Sequence, residues 1–142
     1  MKSGIYTLII KLEKQVEIAI GKLGILEFKK GYYAYTGSAF GKAGFKRINR
    51  HLNIDKKKKK RWHIDYLLQH SEVLEVFKLE CGERKKECEM AAEIGRKFEA
   101  IIGFGSSDCK CKAHLHYSPS LEMLRKFIAE LFDSNQKKVY EC

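Results

Sequence analysis

The chain has 142 residues, 44% of them apolar, and a single proline, so it is long enough for one domain with its own core and is not a disordered chain. Its 28 Lys and Arg against 18 Asp and Glu leave a net charge of +10, which points to a polyanionic partner, nucleic acid ahead of an anionic membrane. No apolar run approaches the about 20 residues that a bilayer-spanning helix needs, and five irregularly spaced cysteines argue against a disulfide framework.

Met1-Lys2-Ser3 leads into a strand rather than a signal peptide, so the expectation is a cytoplasmic protein with reduced thiols. Gly4 to Lys11, GIYTLIIK, is β-branched and aromatic and predicts a largely buried strand. Lys14 to Ile20 alternates polar and apolar, Gly21 to Gly24 supplies a turn, and Ile25 to Phe28 returns as another strand. Lys29-Lys30-Gly31 then turns the chain into an aromatic strand from Tyr32 through Tyr35 to Ser38.

Gly37, Gly41 and Gly44 punctuate a turn, and Phe45 onward reads as a basic amphipathic helix. Phe45, Ile48 and Leu52 make one apolar stripe, with Arg47, Arg50 and His51 roughly opposite. A strand feeding a glycine turn and a cationic helix is a natural place to hold a phosphate, although the same face also reads as a solvated helix surface. Lys56 to Arg61 is a run of cations that suits either a solvated loop or a phosphate-contacting one, with Lys56, Lys57 and Lys58 as the contacts. Trp62 to Leu68 predicts a short helix on which His63, Tyr66 and Leu67 share a face. His63 is a candidate catalytic or phosphate-binding group, or a packed histidine bonded locally.

Val73 to Leu79 predicts a strand and Lys86 to Ile101 a long helix, with Met90, Ala91, Ile94, Gly95, Phe98 and Ile102 on one side. Glu87 projects onto that side, whereas Glu89 and Glu93 project away. A carboxylate aimed along an apolar face needs a partner, so Glu87 is expected to meet a metal ion or an arginine, unless it is simply a first-turn acid favoured by the helix dipole. Gly103 to His116 reads as a loop that caps the sheet. Its Cys109, Cys111, His114 and His116 are possible Zn²⁺ ligands at a spacing that matches no common pattern. Ser118 and Pro119 open a last helix through Leu121, Leu124, Ile128 and Leu131, which sets residues 1–133 as the domain and 134–142 as a loose polar tail.

Taken together, Gly4-Ile5-Tyr6 on the first strand, Tyr35-Thr36-Gly37 on a later one, Arg47 on a helix and an inward Glu87 on another resemble the GIY-YIG nuclease superfamily. The run YTGSA followed by KRINRH is similar to the catalytic domains of phage homing endonucleases. RWHIDYLL, ECEMA and GFGSSDCKCKAHLH are similar to an archaeal and bacterial branch sometimes fused to an endonuclease III-type glycosylase.

The resemblance implies an α+β single domain, a central mostly antiparallel sheet flanked by helices. It implies Mg²⁺-dependent (or Mn²⁺-dependent) hydrolysis of nucleic-acid phosphodiesters, DNA ahead of RNA, in processing or repair. By position, Tyr6 would deprotonate or orient the water, Tyr35 would help orient it and the phosphate, Arg47 would stabilise developing charge, and Glu87 would hold the metal. Arg50 and His51 would support the phosphate, and Gly37 would keep the backbone clear of a side chain. Two departures stand out. YTG replaces YIG, and the 28 positions from Gly4 to Tyr32 suggest an inserted hairpin.

Two other readings stay open. One is a non-catalytic nucleic-acid-binding module that uses the cationic run and the aromatics Tyr32, Tyr33 and Trp62 for stacking. The other is a zinc-stabilised scaffold around Cys109, Cys111 and His114.

Overall fold

A computed structural model describes residues 3–41, 44–46, 48, 49, 63–106 and 110–140. The fold is α+β: a five-stranded antiparallel sheet in the order β5-β1-β4-β7-β6, with three α-helices among the described residues. The strands are β1 (Gly4–Leu12), β4 (Gly31–Ala39), β5 (Glu72–Glu80), β6 (Glu99–Ala100) and β7 (Leu115–Ser118). The helices are α1 (His63–Leu68), α2 (Lys85–Gly95) and α3 (Leu121–Tyr140). The predicted hairpin between Gly4 and Tyr32 is present as β2 (Val16–Ala19) and β3 (Ile25–Phe28), paired with each other in a separate two-stranded sheet.

The central position of β1 explains its nearly uninterrupted apolar sequence. Side chains alternate across a strand, and here both faces are covered. Tyr6, Leu8 and Ile10 enter a cluster with Phe28, Ile64, Leu67 and Phe104, so the hairpin and α1 cover that face. Ile5 and Ile9 enter a second cluster with Met90, Ile94, Leu124 and Ile128, supplied by α2 and α3.

Several boundaries differ from expectation, mostly because of strand pairing. Gly37 lies inside β4, as a strand running to Ser38 requires, and so does not serve the turn with Gly41 and Gly44; the β1–β4 ladder continues to Gly4 opposite Ala39. Helix α2 stops at Gly95 instead of running to Ile101. Residues 99 and 100 pair with β7, and Ile102 is exposed rather than part of an apolar stripe. The segment ending at His116 is not all loop, since Leu115 and His116 begin β7, whose four residues pair with β4. Helix α3 begins beyond Pro119 and is capped by Ser120, whose Oγ accepts from the Met123 amide at 3.2 Å. It then continues to Tyr140, into the stretch expected to be a loose tail. Asn135 is buried and donates to the Leu131 carbonyl at 2.7 Å, and Gln136 donates to the Lys78 carbonyl at 3.3 Å.

Candidate active site

The register of β1 against β4 sets Tyr6 opposite Gly37 and Leu8 opposite Tyr35, which puts the two tyrosines on one face. Their ring centroids stand 6.4 Å apart at an interplanar angle of 52°. Tyr6 is 2% exposed and Tyr35 9%. A Cβ built on Gly37 would lie 2.6 Å from Tyr6 Oη and 3.1 Å from Tyr35 Cε2. Only a residue without a side chain lets both rings close over the strand, so the glycine is required by contact rather than by backbone conformation.

The residue between Tyr35 and Gly37 has its own local explanation. Thr36 pairs in register with Thr7, both are fully buried, and their hydroxyls are hydrogen-bonded at 3.0 Å. An isoleucine here would leave the Thr7 hydroxyl without that partner. The departure from YIG is thus half of a cross-strand pair.

A loop closes the same end of the sheet. The Phe104 carbonyl accepts from the His114 amide at 2.8 Å, and the Thr36 amide donates to the His114 carbonyl at 2.9 Å, pinning the loop to β4. His63, on α1, accepts the Gly105 amide on Nδ1 at 2.9 Å and packs its ring against Phe104, with centroids 5.6 Å apart. Burial holds its pKa below the ordinary histidine value. His63 thus packs against the loop and braces it, through a bond to a residue far away in sequence rather than a local one. Gly105 fits tightly, since a Cβ there would lie 3.2 Å from Tyr35 Cε1 and 3.1 Å from His114 Cβ.

Beyond Gly105, Glu87 has a histidine as its partner among the described residues. Its Oε1 accepts from His114 Nδ1 at 3.0 Å, with the two side chains 19% and 2% exposed. The pair borders a cavity of about 260 Å³ that is also lined by Ser38, Arg84, Lys85, Cys88 and Gly105. Two cations, a hydroxyl and a half-buried carboxylate thus surround one opening at the start of α2, where backbone amides favour an anion. Glu89 and Glu93 instead pair with Lys86 and Arg96 on the helix surface.

Cys88, Cys111 and His114 bring their ligand atoms within 4.8 Å of one another, an arrangement compatible with a metal ion. Sequence reasoning paired Cys111 and His114 with near neighbours and missed Cys88, which comes from a helix distant in sequence. His116 lines a cavity with Cys88 and Cys111 but is not one of the three whose ligand atoms converge. It is 2% exposed, burial first and His114 second push its pKa down to about 4, and its Nδ1 has no hydrogen-bond partner among the described residues.

The structure therefore brings Tyr6, Tyr35 and Gly37 together. Glu87 belongs to a helix packed on the opposite face and joins them at the sheet end through His114 and Gly105. Arg47, Arg50, His51, Lys56, Lys57 and Lys58, with Trp62 and Cys109, lie outside the described residues. Tyr33 does not stand ready to stack on a base. It is fully buried and donates its hydroxyl to the Lys29 carbonyl at 2.6 Å, and burial raises its pKa far above the ordinary phenol value.

Mg²⁺ takes oxygen ligands and keeps several waters. Glu87 suits it as a single protein contact, because only Oε1 is engaged by His114. Cys88 and Cys111 do not suit so hard an ion. No helix among the described residues is long and apolar enough to cross a membrane.

Comparison with curated proteins and with solved structures returned no match. A family model does match, over residues 5–137, from the first strand into the last helix. The chain belongs to the family described as domain of unknown function DUF123.

Proposed function

We propose that this chain is a Mg²⁺-dependent endonuclease of the GIY-YIG kind, which hydrolyses phosphodiester bonds of nucleic acid, DNA ahead of RNA, in processing or repair. One observation carries the reading: at the end of β4, Tyr6 and Tyr35 close over Gly37, and the cavity holding Glu87, Arg84 and Lys85 begins on the far side of Gly105.

Each group has a role that its chemistry suits. Tyr6, held over Gly37, orients the attacking water and accepts or relays its proton, and Tyr35 beside it orients water and phosphate. The unperturbed phenol loses its proton near pH 10, so proton relay during attack suits Tyr6 better than a standing phenolate. Arg84 and Lys85 give the cavity a positive wall for phosphate oxygens. Arg47 is assigned to the charge that develops on the phosphorus oxygens, with Arg50, His51 and the lysines Lys56, Lys57 and Lys58 along the backbone. Glu87 holds the divalent cation through the oxygen that His114 leaves open. When bound, that cation polarises a phosphoryl oxygen. The proposal carries a cytoplasmic location with it.

Cleavage of labelled duplex, flapped and single-stranded DNA and RNA, with Mg²⁺, Mn²⁺ or EDTA, tests the proposal. Metal-dependent products are expected from the wild type, and Arg84→Ala with Lys85→Ala should raise KM more than it lowers kcat. Salt-sensitive binding without products would favour the non-catalytic module instead.

A further inference from the structure

We infer that Cys88, Cys111 and His114 form a binding site for a zinc-class transition-metal ion, with Glu87 orienting the histidine. The inference stands independently of the proposed nuclease activity.

The hydrogen bonding of His114 supplies the first argument. Its Nδ1 stands 3.0 Å from a carboxylate oxygen, which can only accept, so Nδ1 carries the proton. In its neutral form the ring then presents the lone pair of Nε2, and that nitrogen stands 3.9 Å from Cys88 Sγ. A carboxylate on one ring nitrogen with the other turned to soft ligands is the usual outer-shell arrangement at a metal-binding histidine, since it fixes the tautomer and raises the basicity of the ligand nitrogen.

Distance supplies the second. With bonds of about 2.3 Å to sulfur and 2.0 Å to nitrogen, a tetrahedral ion holds its sulfur and nitrogen ligands about 3.5 Å apart. The observed 3.9 Å closes to that value with a few tenths of an ångström of side-chain movement. All three ligand atoms lie within 4.8 Å of one another, and His114 is almost fully enclosed.

Donor chemistry selects the ion. Two thiolates and an imidazole favour Zn²⁺ and disfavour Mg²⁺ or Ca²⁺. Binding displaces the proton of each coordinating thiol to solvent as the metal–sulfur bond forms.

The position says what such an ion would do. Cys88 lies in the first half of α2, and Cys111 and His114 lie on the stretch leading into β7. One ion clamps helix to loop beside the Glu87–His114 pair. Because the His114 carbonyl also accepts the Thr36 amide, the clamp extends to the strand that carries Gly37.

The test is metal binding by the full chain, purified under reducing conditions. The expected result is about one zinc per chain. Co²⁺ added to the zinc-stripped wild type should give thiolate-to-cobalt charge-transfer absorption, with visible bands of tetrahedral strength, unaffected by excess Mg²⁺. Cys88→Ser and Cys111→Ser should each lose about half of the charge-transfer intensity, as each supplies one of two thiolates. Glu87→Ala should keep the stoichiometry but weaken zinc binding about 10- to 100-fold.

Background zinc together with no charge-transfer band in the folded wild type would overturn the inference, whatever the variants do. Zinc bound without nucleic-acid cleavage would fail the nuclease reading alone. Cleavage without zinc would fail this inference alone.

Discussion

The hydroxyl of Tyr6 occupies the space that a Cβ on Gly37 would need, 2.6 Å from its position, and the ring carbon that bears the hydroxyl is 2.7 Å away. Gly37→Ala should therefore force the Tyr6 ring or β4 to shift, at a cost of about 1–3 kcal/mol for overpacking a filled site. Adding Tyr6→Phe should recover little of it, because the ring carbon remains. Urea denaturation of the single and double variants checks this, and a Gly37→Ala protein as stable as wild type would contradict it.

The Thr7–Thr36 pair makes a separate prediction. Removing one hydroxyl strands the other in a fully buried position, so Thr7→Val or Thr36→Val alone should cost about 1–3 kcal/mol. The double replacement should cost less than the sum of the singles, and a double-mutant cycle measures the difference. Thr36→Ile, which gives the YIG letter, should be tolerated better with Thr7→Val than without it. Strict additivity would show that the two hydroxyls do not depend on each other.

His63 should make stability depend on pH. Its folded pKa is held down by burial, and its Nδ1 must stay unprotonated to accept the Gly105 amide. The unfolded chain takes up the proton first, near the ordinary value of about 6.5, so this contribution is complete above that pH and is lost as pH falls from it toward the depressed folded value. The stability difference between wild type and His63→Phe, measured by urea titration at several pH values, should move against wild type over that interval. The other histidines are common to both proteins and largely cancel. A difference independent of pH would remove this role.

The end of α3 is also predicted to matter. A chain ending before Ser134 loses the buried Asn135 and its bond to Leu131, and the bond from Gln136 to the Lys78 carbonyl. Its thermal midpoint should fall, and Asn135→Ala should account for part of the fall. A truncated chain that melts with the full one would mean that these residues contribute nothing.

What could be read from the residues, and what could not, follows from how local each signal is. β1 and β4 are long and rich in β-branched or aromatic residues, β5 carries Val73, Val76 and Phe77, and the polar–apolar alternation before Gly21 marked the inserted hairpin. β6 and β7 carry no comparable signal. Two and four residues long, they are strands because β7 lies against β4, a tertiary fact. The same competition ended α2 early at Gly95. At the candidate site, the facing of Glu87 was legible from helical period, but its partner was not. His114 comes from a loop whose path is set by amides of Thr36 and Gly105. Cys88 was missed for the same reason, since spacing rules relate only ligands close in sequence.

The measurement closest to the central claim is Mg²⁺-dependent cleavage of a nucleic-acid panel by wild type, Tyr6→Phe and Glu87→Gln, with folding of each variant checked by its thermal midpoint. Wild type should give products that EDTA abolishes, and each folded variant should lose at least about a hundredfold in rate, the usual worth of a positioned proton-transfer group. Undiminished cleavage by both folded variants would contradict the assignment of Tyr6 and Glu87 to the chemistry.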